Sequence, residues 1–127
     1  YNAPFEAAVL RDLADVVPEH AAALADIEAR LVDALPLVRE HVYHPAFGGS
    51  FSLKSVLPAL VSGLGYDGLE IAGGGVASRE LRRLMFEGDT LSADEREHIR
   101  DALLRYCALD TLGVVRLLER LEALADA

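Results

Sequence analysis

Asp110 stands where a carboxylate is least expected, inside the apolar series Ile99, Leu103, Tyr106, Val114, Leu117, Leu121 and Leu124 that recurs at helical spacing near the end of the chain. That spacing turns its side chain toward the interior, where an unpaired carboxylate is strongly disfavoured. Asp110 must therefore be protonated, hydrogen-bonded, paired with a cation or ligated to a metal. Tyr106 lies one turn earlier on the same face, which sends its hydroxyl and the carboxylate toward one place. Gly113, one turn later, gives up about 1 kcal/mol of helix propensity, as if a neighbour had to come close. Two readings stay open at this point. Either Asp110 serves a cation, or it accepts a hydrogen bond from another helix or an arginine while Tyr106 belongs to the core.

Other candidates carry less. His41 and His44 are spaced for a shared metal, but no third ligand is evident and His44 precedes Pro45, which favours packing in a loop. Arg79, Arg82 and Arg83 form the one local basic excess. They suit phosphate contacts, yet a solvated helix face paired with nearby acids explains them more simply. Lys54 is similar. Gly73-Gly74-Gly75 lacks the Lys-Ser/Thr that gives a phosphate loop its cation, and is expected to be a turn. Asp26-Ile27-Glu28 falls within an amphipathic stretch and is expected to be solvated helix charge. Cys107 has no activating partner in sequence and is expected to be a buried small apolar residue.

The elements that position these residues are mainly helical, about five helices with one or two short strands near residues 31–44. Pro4 suits a first turn, and Phe5, Val9, Leu13 and Val16 carry a helix to about Asp15. Pro18 opens a second, with Leu24, Ile27, Leu31 and Ala34 on one stripe until Pro36 disfavours continuation. Residues 35–50 lose the period, with a short strand expected around 31–38. Ser50 or Ser52 caps a third helix with Leu53, Val56, Leu57, Leu60 and Val61 on its buried face, ended by Gly63 and Gly65. A fourth spans Ala77 to Phe86 with Leu81, Leu84 and Met85 inward. Ser92 and Glu95 form a capping box for the last helix, whose stripe continues for about thirty residues.

The 127 residues suit a single domain, 1–127, with no internal repeat or linker, and 52% hydrophobic residues are enough for a core. A net charge of −9 excludes a globally electrostatic binder of polyphosphate, so contact with nucleic acid needs a local patch or bound cations. The lone cysteine excludes an internal disulfide and a zinc spacing. No apolar run reaches bilayer length and no signal-peptide pattern opens the chain. A cytoplasmic protein without membrane contact is expected. The opening YNAPFEAAVL enters an amphipathic pattern at once, as in a piece cut from a longer protein.

Tyr106-Cys107-Ala108-Leu109-Asp110 resembles the third motif, Tyr-x-x-x-Asp, of the tyrosine-bearing DEDD 3′–5′ exonucleases of the ribonuclease H-like fold. Asn2-Ala3-Pro4-Phe5-Glu6 resembles their second motif, Asn-x-x-Phe-Asp, with Glu6 in place of the aspartate. Order and separation also match. Across most of the chain the wording is similar to the DUF2779 family: Tyr1-Asn2-Ala3 with Phe5-Glu6, His41-Val42-Tyr43-His44-Pro45, Gly49-Ser50-Phe51-Ser52-Leu53-Lys54, Val56-Leu57-Pro58-Ala59-Leu60, and Tyr106-Cys107 with Leu109-Asp110-Thr111.

The resemblance implies two-metal phosphodiester hydrolysis with Mg²⁺ or Mn²⁺. It makes Asp110 and Glu6 metal ligands and Tyr106 the residue that orients the attacking water, all three catalytic. Asn2, Phe5, Lys54, Arg79, Arg82 and Arg83 become the candidate contacts to nucleic acid. Glu6 also suits plain compensation of the helix dipole. The family's first motif, Asp-x-Glu, belongs on a strand upstream of Asn2. The chain is thus expected to be the C-terminal part of an α/β exonuclease domain, inactive or nearly so alone. Apolar faces that would cover the missing sheet predict a homodimer. The alternative from another class is an α-helical interaction or assembly module with no catalysis.

Overall fold

Pro4 fixes a helical φ where its missing N–H is no loss, and helix α1 runs Ala3–Val16. The computed structural model describes residues 1–126. It holds six α-helices and, among the described residues, no strand. Two compact units are formed, Tyr1–Phe51 and a second from Ser52 onward. No helix is long and apolar enough to cross a membrane among these residues.

In the first unit, a turn of 3-10 helix at Pro18–His20 leads to α2, Ala21–Glu28, which packs against α1. Arg11 and Glu28 join the two as an ion pair. The stripe expected to continue through Leu31 and Ala34 instead breaks after Glu28. Arg30 and Leu31 N–H groups bond to the carbonyls three residues back, so the chain tightens and leaves the helix. Helix α3 then starts afresh, Ala34–His41, in the segment expected to hold a short strand. The cause is Asp33, which caps α3 by accepting from the Leu35 N–H at 2.9 Å. Pro36 falls in the first turn, where backbone N–H groups have no partner within the helix. It helps start a helix rather than ending one. Asp33, Val42 and His44 have the extended backbone anticipated there, without forming a strand.

Asp33 does more than cap α3. Asn2 takes a left-handed φ of 83°, which asparagine tolerates better than most residues. Its N–H and that of Ala3 then converge on the Asp33 carboxylate at 2.9 and 3.0 Å. Burial favours the neutral acid, but three backbone donors outweigh it and hold the Asp33 carboxyl below the usual carboxylate range. One side chain ties together the starts of two helices. Ala34, Val38 and Phe47 form the unit's core. Phe47 meets the edge of Phe51 at 5.9 Å, and the Tyr1 hydroxyl donates to the Phe51 carbonyl at 2.5 Å.

The second unit opens with α4, Leu53–Leu60, whose N-cap position is Ser52 and whose Val56 and Leu57 are wholly buried. A glycine-rich loop follows, anchored by buried Tyr66 and Ile71. Helix α5 spans Gly74–Phe86, starting three residues before the expected Ala77. Leu81 and Met85, expected inward, are 49% and 66% exposed. Leu84 is turned inward as expected, and it shares that face with Ala77 and Glu80. Glu80 tolerates that position because Arg83 and Arg79 satisfy both of its oxygens, at 2.7 and 3.2 Å.

Helix α6, Ala93–Ala125, has the expected capping box: Ser92 Oγ accepts from the Glu95 N–H, and Glu95 Oε2 accepts from the Ser92 N–H at 2.8 Å. Ile99, Ala102, Gly113 and Leu117 are its buried residues. Leu124, expected in the stripe, is exposed.

Gly113 is where α4 and α6 meet closely. A Cβ there would fall 2.7 Å from Leu57 Cδ2, inside van der Waals contact. Leu57 is wholly enclosed and has little room to withdraw. Gly113→Ala should therefore lower stability, its gain of ~1 kcal/mol in helix propensity being exceeded by overpacking of about 1–3 kcal/mol. In a Leu57→Ala background the same substitution should stabilise. Chemical denaturation of the four proteins of this cycle measures the change of sign.

Candidate functional site

Asp110 is half-buried on α6, and its Oδ1 accepts a 2.5 Å hydrogen bond from the Tyr66 hydroxyl. The bond spans from the loop after α4 to the middle of α6. Tyr66 is only 7% exposed, and burying a phenol requires that its O–H find an acceptor. The two needs answer each other. The Tyr106 ring stands 6.1 Å from that of Tyr66, tilted by 50°. Burial first, then the hydrogen bond to Asp110 and its negative charge, push the Tyr66 phenol far above its ordinary value. Burial and then the Asp110 charge push Tyr106 in the same direction. Both phenols are thus protonated donors at neutral pH.

The glycines before α5 have a local reason. Lys54 Nζ donates to the Ala72 carbonyl and lies 5.5 Å from the centre of the Tyr66 ring, within cation–π range. A Cβ on Gly73 would sit 2.8 Å from that nitrogen, and one on Gly74 would sit 3.8 Å from the Tyr106 hydroxyl. A side chain at Gly73 would displace the lysine. The second unit therefore assembles Lys54, Tyr66, Tyr106 and Asp110 beside the start of α5.

Of the residues singled out from sequence, Tyr106, Asp110 and Lys54 share this neighbourhood. Glu6 lies in the first unit, in the opening turn of α1. Its Oε1 is 3.6 Å from the Tyr1 nitrogen, and its Oε2 is buried without a hydrogen-bond partner. Asn2 is committed through its backbone to Asp33, and Phe5 is 66% exposed. Arg79 and Arg83 are paired with Glu80, while Arg82 lies over the Phe86 ring at 6.0 Å. His44 Nδ1 accepts from the Ala46 N–H at 3.2 Å, fixing the turn at Pro45, and His41 is exposed beside Glu40. Cys107 is exposed. Within neither unit do three or more His, Cys, Asp or Glu side chains gather to hold a metal among the described residues.

Tyr66 was invisible to spacing arguments, because it sits in Gly65-Tyr66-Asp67-Gly68, a loop with no period. The one signal was a large aromatic residue among glycines, which a solvent-exposed loop has no reason to carry.

The chemistry this arrangement offers is a carboxylate held at a fixed orientation, with two phenolic groups beside it. Raised phenol pKa values stabilise the fold fully below the unfolded tyrosine value, and that contribution is lost as pH rises through the folded values. Asp110→Asn removes the negative charge that contributes to both shifts. Spectrophotometric titration should then show Tyr66 and Tyr106 ionising at lower pH than in the wild type. Loss of stability with rising alkaline pH should also be less steep in the variant.

Comparison with curated proteins and with solved structures gives no match to this chain. The opening Tyr1-Asn2-Ala3, Phe5-Glu6 and the phrase His41–Pro45 lie within the part that a family model does match, and Tyr106 and Asp110 lie beyond it. Residues 1–52, which are the first unit and one further residue, match the family described as a domain of unknown function, DUF2779.

Proposed function

We propose that this chain contributes part of a divalent-metal-dependent 3′–5′ exonuclease acting on nucleic acid, as the later portion of an α/β ribonuclease H-like domain. The observation that carries this reading is Glu6 Oε2, the buried side-chain oxygen left without a partner among the described residues. A carboxylate oxygen withdrawn from water without a donor is costly, and a hard cation is the partner that carboxylate oxygen suits best. That orphan oxygen falls on the acid of the Asn-x-x-Phe-Glu phrase. Asp110, its orientation set by a phenol, is a donor of the same hard-oxygen type, although among the described residues neither acid has two further His, Cys, Asp or Glu beside it.

Glu6 and Asp110 are the two acids that the reading would make metal ligands, Glu6 through Oε2, each taken within its own unit. A bound divalent ion supplies Lewis-acid polarisation of a phosphoryl oxygen and a water of lowered pKa. In this reading Tyr106, protonated at neutral pH, would orient a water by hydrogen bonding. Tyr66 keeps Asp110 turned to a single presentation. Bound cations also let a chain of net charge −9 approach a polyanion.

The test is 3′-end digestion of labelled DNA and RNA by the natural full-length protein with Mg²⁺ or Mn²⁺. Asp110→Ala and Glu6→Gln should each abolish divalent-dependent digestion while circular dichroism stays unchanged. Equal activity in wild type and Asp110→Ala removes Asp110 from the mechanism and the reading with it.

A second reading, a helical assembly module without catalysis, is favoured by two exposed stripes. Phe5, Val9, Leu13 and Val16 form one along α1, and Leu104, Leu112, Val115 and Leu118 form another along α6. Each follows helical spacing and is larger than scattered surface residues would give. This reading predicts concentration-dependent dimerisation, weakened by Val9→Glu or Val115→Glu. Sedimentation that shows a monomer at every concentration defeats it.

A further inference from the structure

We infer that the outer face of α6 pairs two copies of this chain in antiparallel orientation; the inference rests on the reading of the chain as an assembly module. Helix α6 buries Ile99, Ala102, Gly113 and Leu117 within its own unit. Turning by about 100° per residue, it carries Leu104, Ala108, Thr111, Val115, Leu118 and Glu122 on the opposite side, all of them exposed. Steps of four and three residues alternate along that series, which is the spacing of a coiled-coil seam. Thr111 suits such a seam because its hydroxyl is spent on the Cys107 carbonyl of its own helix at 3.0 Å, which leaves the methyl group for contact.

Side-chain volume and charge along the seam select the occupant and its direction. Two copies in parallel would set Ala108 against Ala108, which leaves a gap, and Glu122 against Glu122, a like-charge contact. Antiparallel pairing centred between Thr111 and Val115 removes both faults. Leu118 then meets Ala108 of the second copy and Val115 meets its Thr111, so large faces small in the central layers. Glu122 comes beside Leu104 and Arg105 of the second copy, and Glu119 lies on the same flank as that arginine. Arg105 Nε donates to the Asp101 carbonyl one turn back at 3.3 Å, which steadies the side chain along this flank. Exposed Leu112 lies on it too, midway between Arg105 and Glu119, and meets its own counterpart. A two-fold axis repeats every one of these contacts, so the basic shoulder and the acidic end of one copy answer those of the other.

The experiment uses the whole 127-residue chain, with association read by sedimentation equilibrium and folding by circular dichroism. Wild type should dimerise. Val115→Glu should weaken the dimer by about 100-fold or more, whereas Val9→Glu, on α1, should leave it unchanged. Arg105→Glu and Glu122→Arg should each weaken it by about tenfold, since like charges then replace an opposite pair at both ends. The double variant should recover most of that loss. Orientation is read from the distance between spin labels placed at Glu97→Cys in a Cys107→Ser background. The labels should lie about 50 Å apart along the axis in an antiparallel dimer, against about 20 Å or less in a parallel one. A dimer with the short distance, or one that Val9→Glu dissolves and Val115→Glu spares, overturns this inference and leaves the assembly reading standing. So does a double variant that recovers nothing, because the charge order then does not set the pairing. A wild type that is monomeric at every concentration defeats the assembly reading and this inference together.

Discussion

A carboxylate in the apolar seam of a long helix has to be satisfied, and the second unit is arranged around doing so. Asp110 cannot reach a backbone donor, because the N–H groups around it are spent within α6. Its partner has to come from elsewhere in the chain, and it comes as the Tyr66 hydroxyl from a loop. Bringing that loop in explains features that look unrelated in sequence. A buried tyrosine stands among glycines, a lysine bridges to the Ala72 carbonyl, and a side chain on Gly73 would push that lysine aside.

The first unit uses the same device in another form. Asp33 gathers N–H groups from Asn2, Ala3 and Leu35, so the start of α1 and the start of α3 share one acceptor. The left-handed Asn2 is what aims two successive donors at one carboxylate. Asn2 thus has a structural task whatever else it does. Glu6, four residues on, is the contrast: one of its oxygens is enclosed and has no donor. Asp33 and Asp110 are answered by donors of the chain, whereas Glu6 has only its Oε1 near a donor, the Tyr1 nitrogen at 3.6 Å.

Much of the fold was legible because several helices carry their own boundary signals. Pro4 started α1, and Ser92 with Glu95 capped α6. Val56 and Leu57 were marked as buried by spacing alone and are fully enclosed. Pro36 was misleading, since proline ends a helix or begins one depending on whether a cap precedes it, and Asp33 was not weighed as that cap. The inward face of α5 was misassigned for a related reason. Hydrophobicity favoured Leu81 and Met85, whereas the pairing of Glu80 with two arginines made a different face acceptable to the interior.

The sequence by itself determined the helical character of the chain, the capped 33-residue helix at its end, and the presence of Tyr106 and Asp110 on one of that helix's faces. These are local matters, set by propensity, capping and the repeat of the α-helix. Only tertiary structure decided that Asp110 is answered by Tyr66, that Gly113 exists to admit Leu57, and that Lys54 lies over a tyrosine ring. Each of these joins residues far apart in the chain, across a loop without periodicity. Which distant group meets a half-buried carboxylate depends on how the backbone returns, and spacing along one helix carries no record of that.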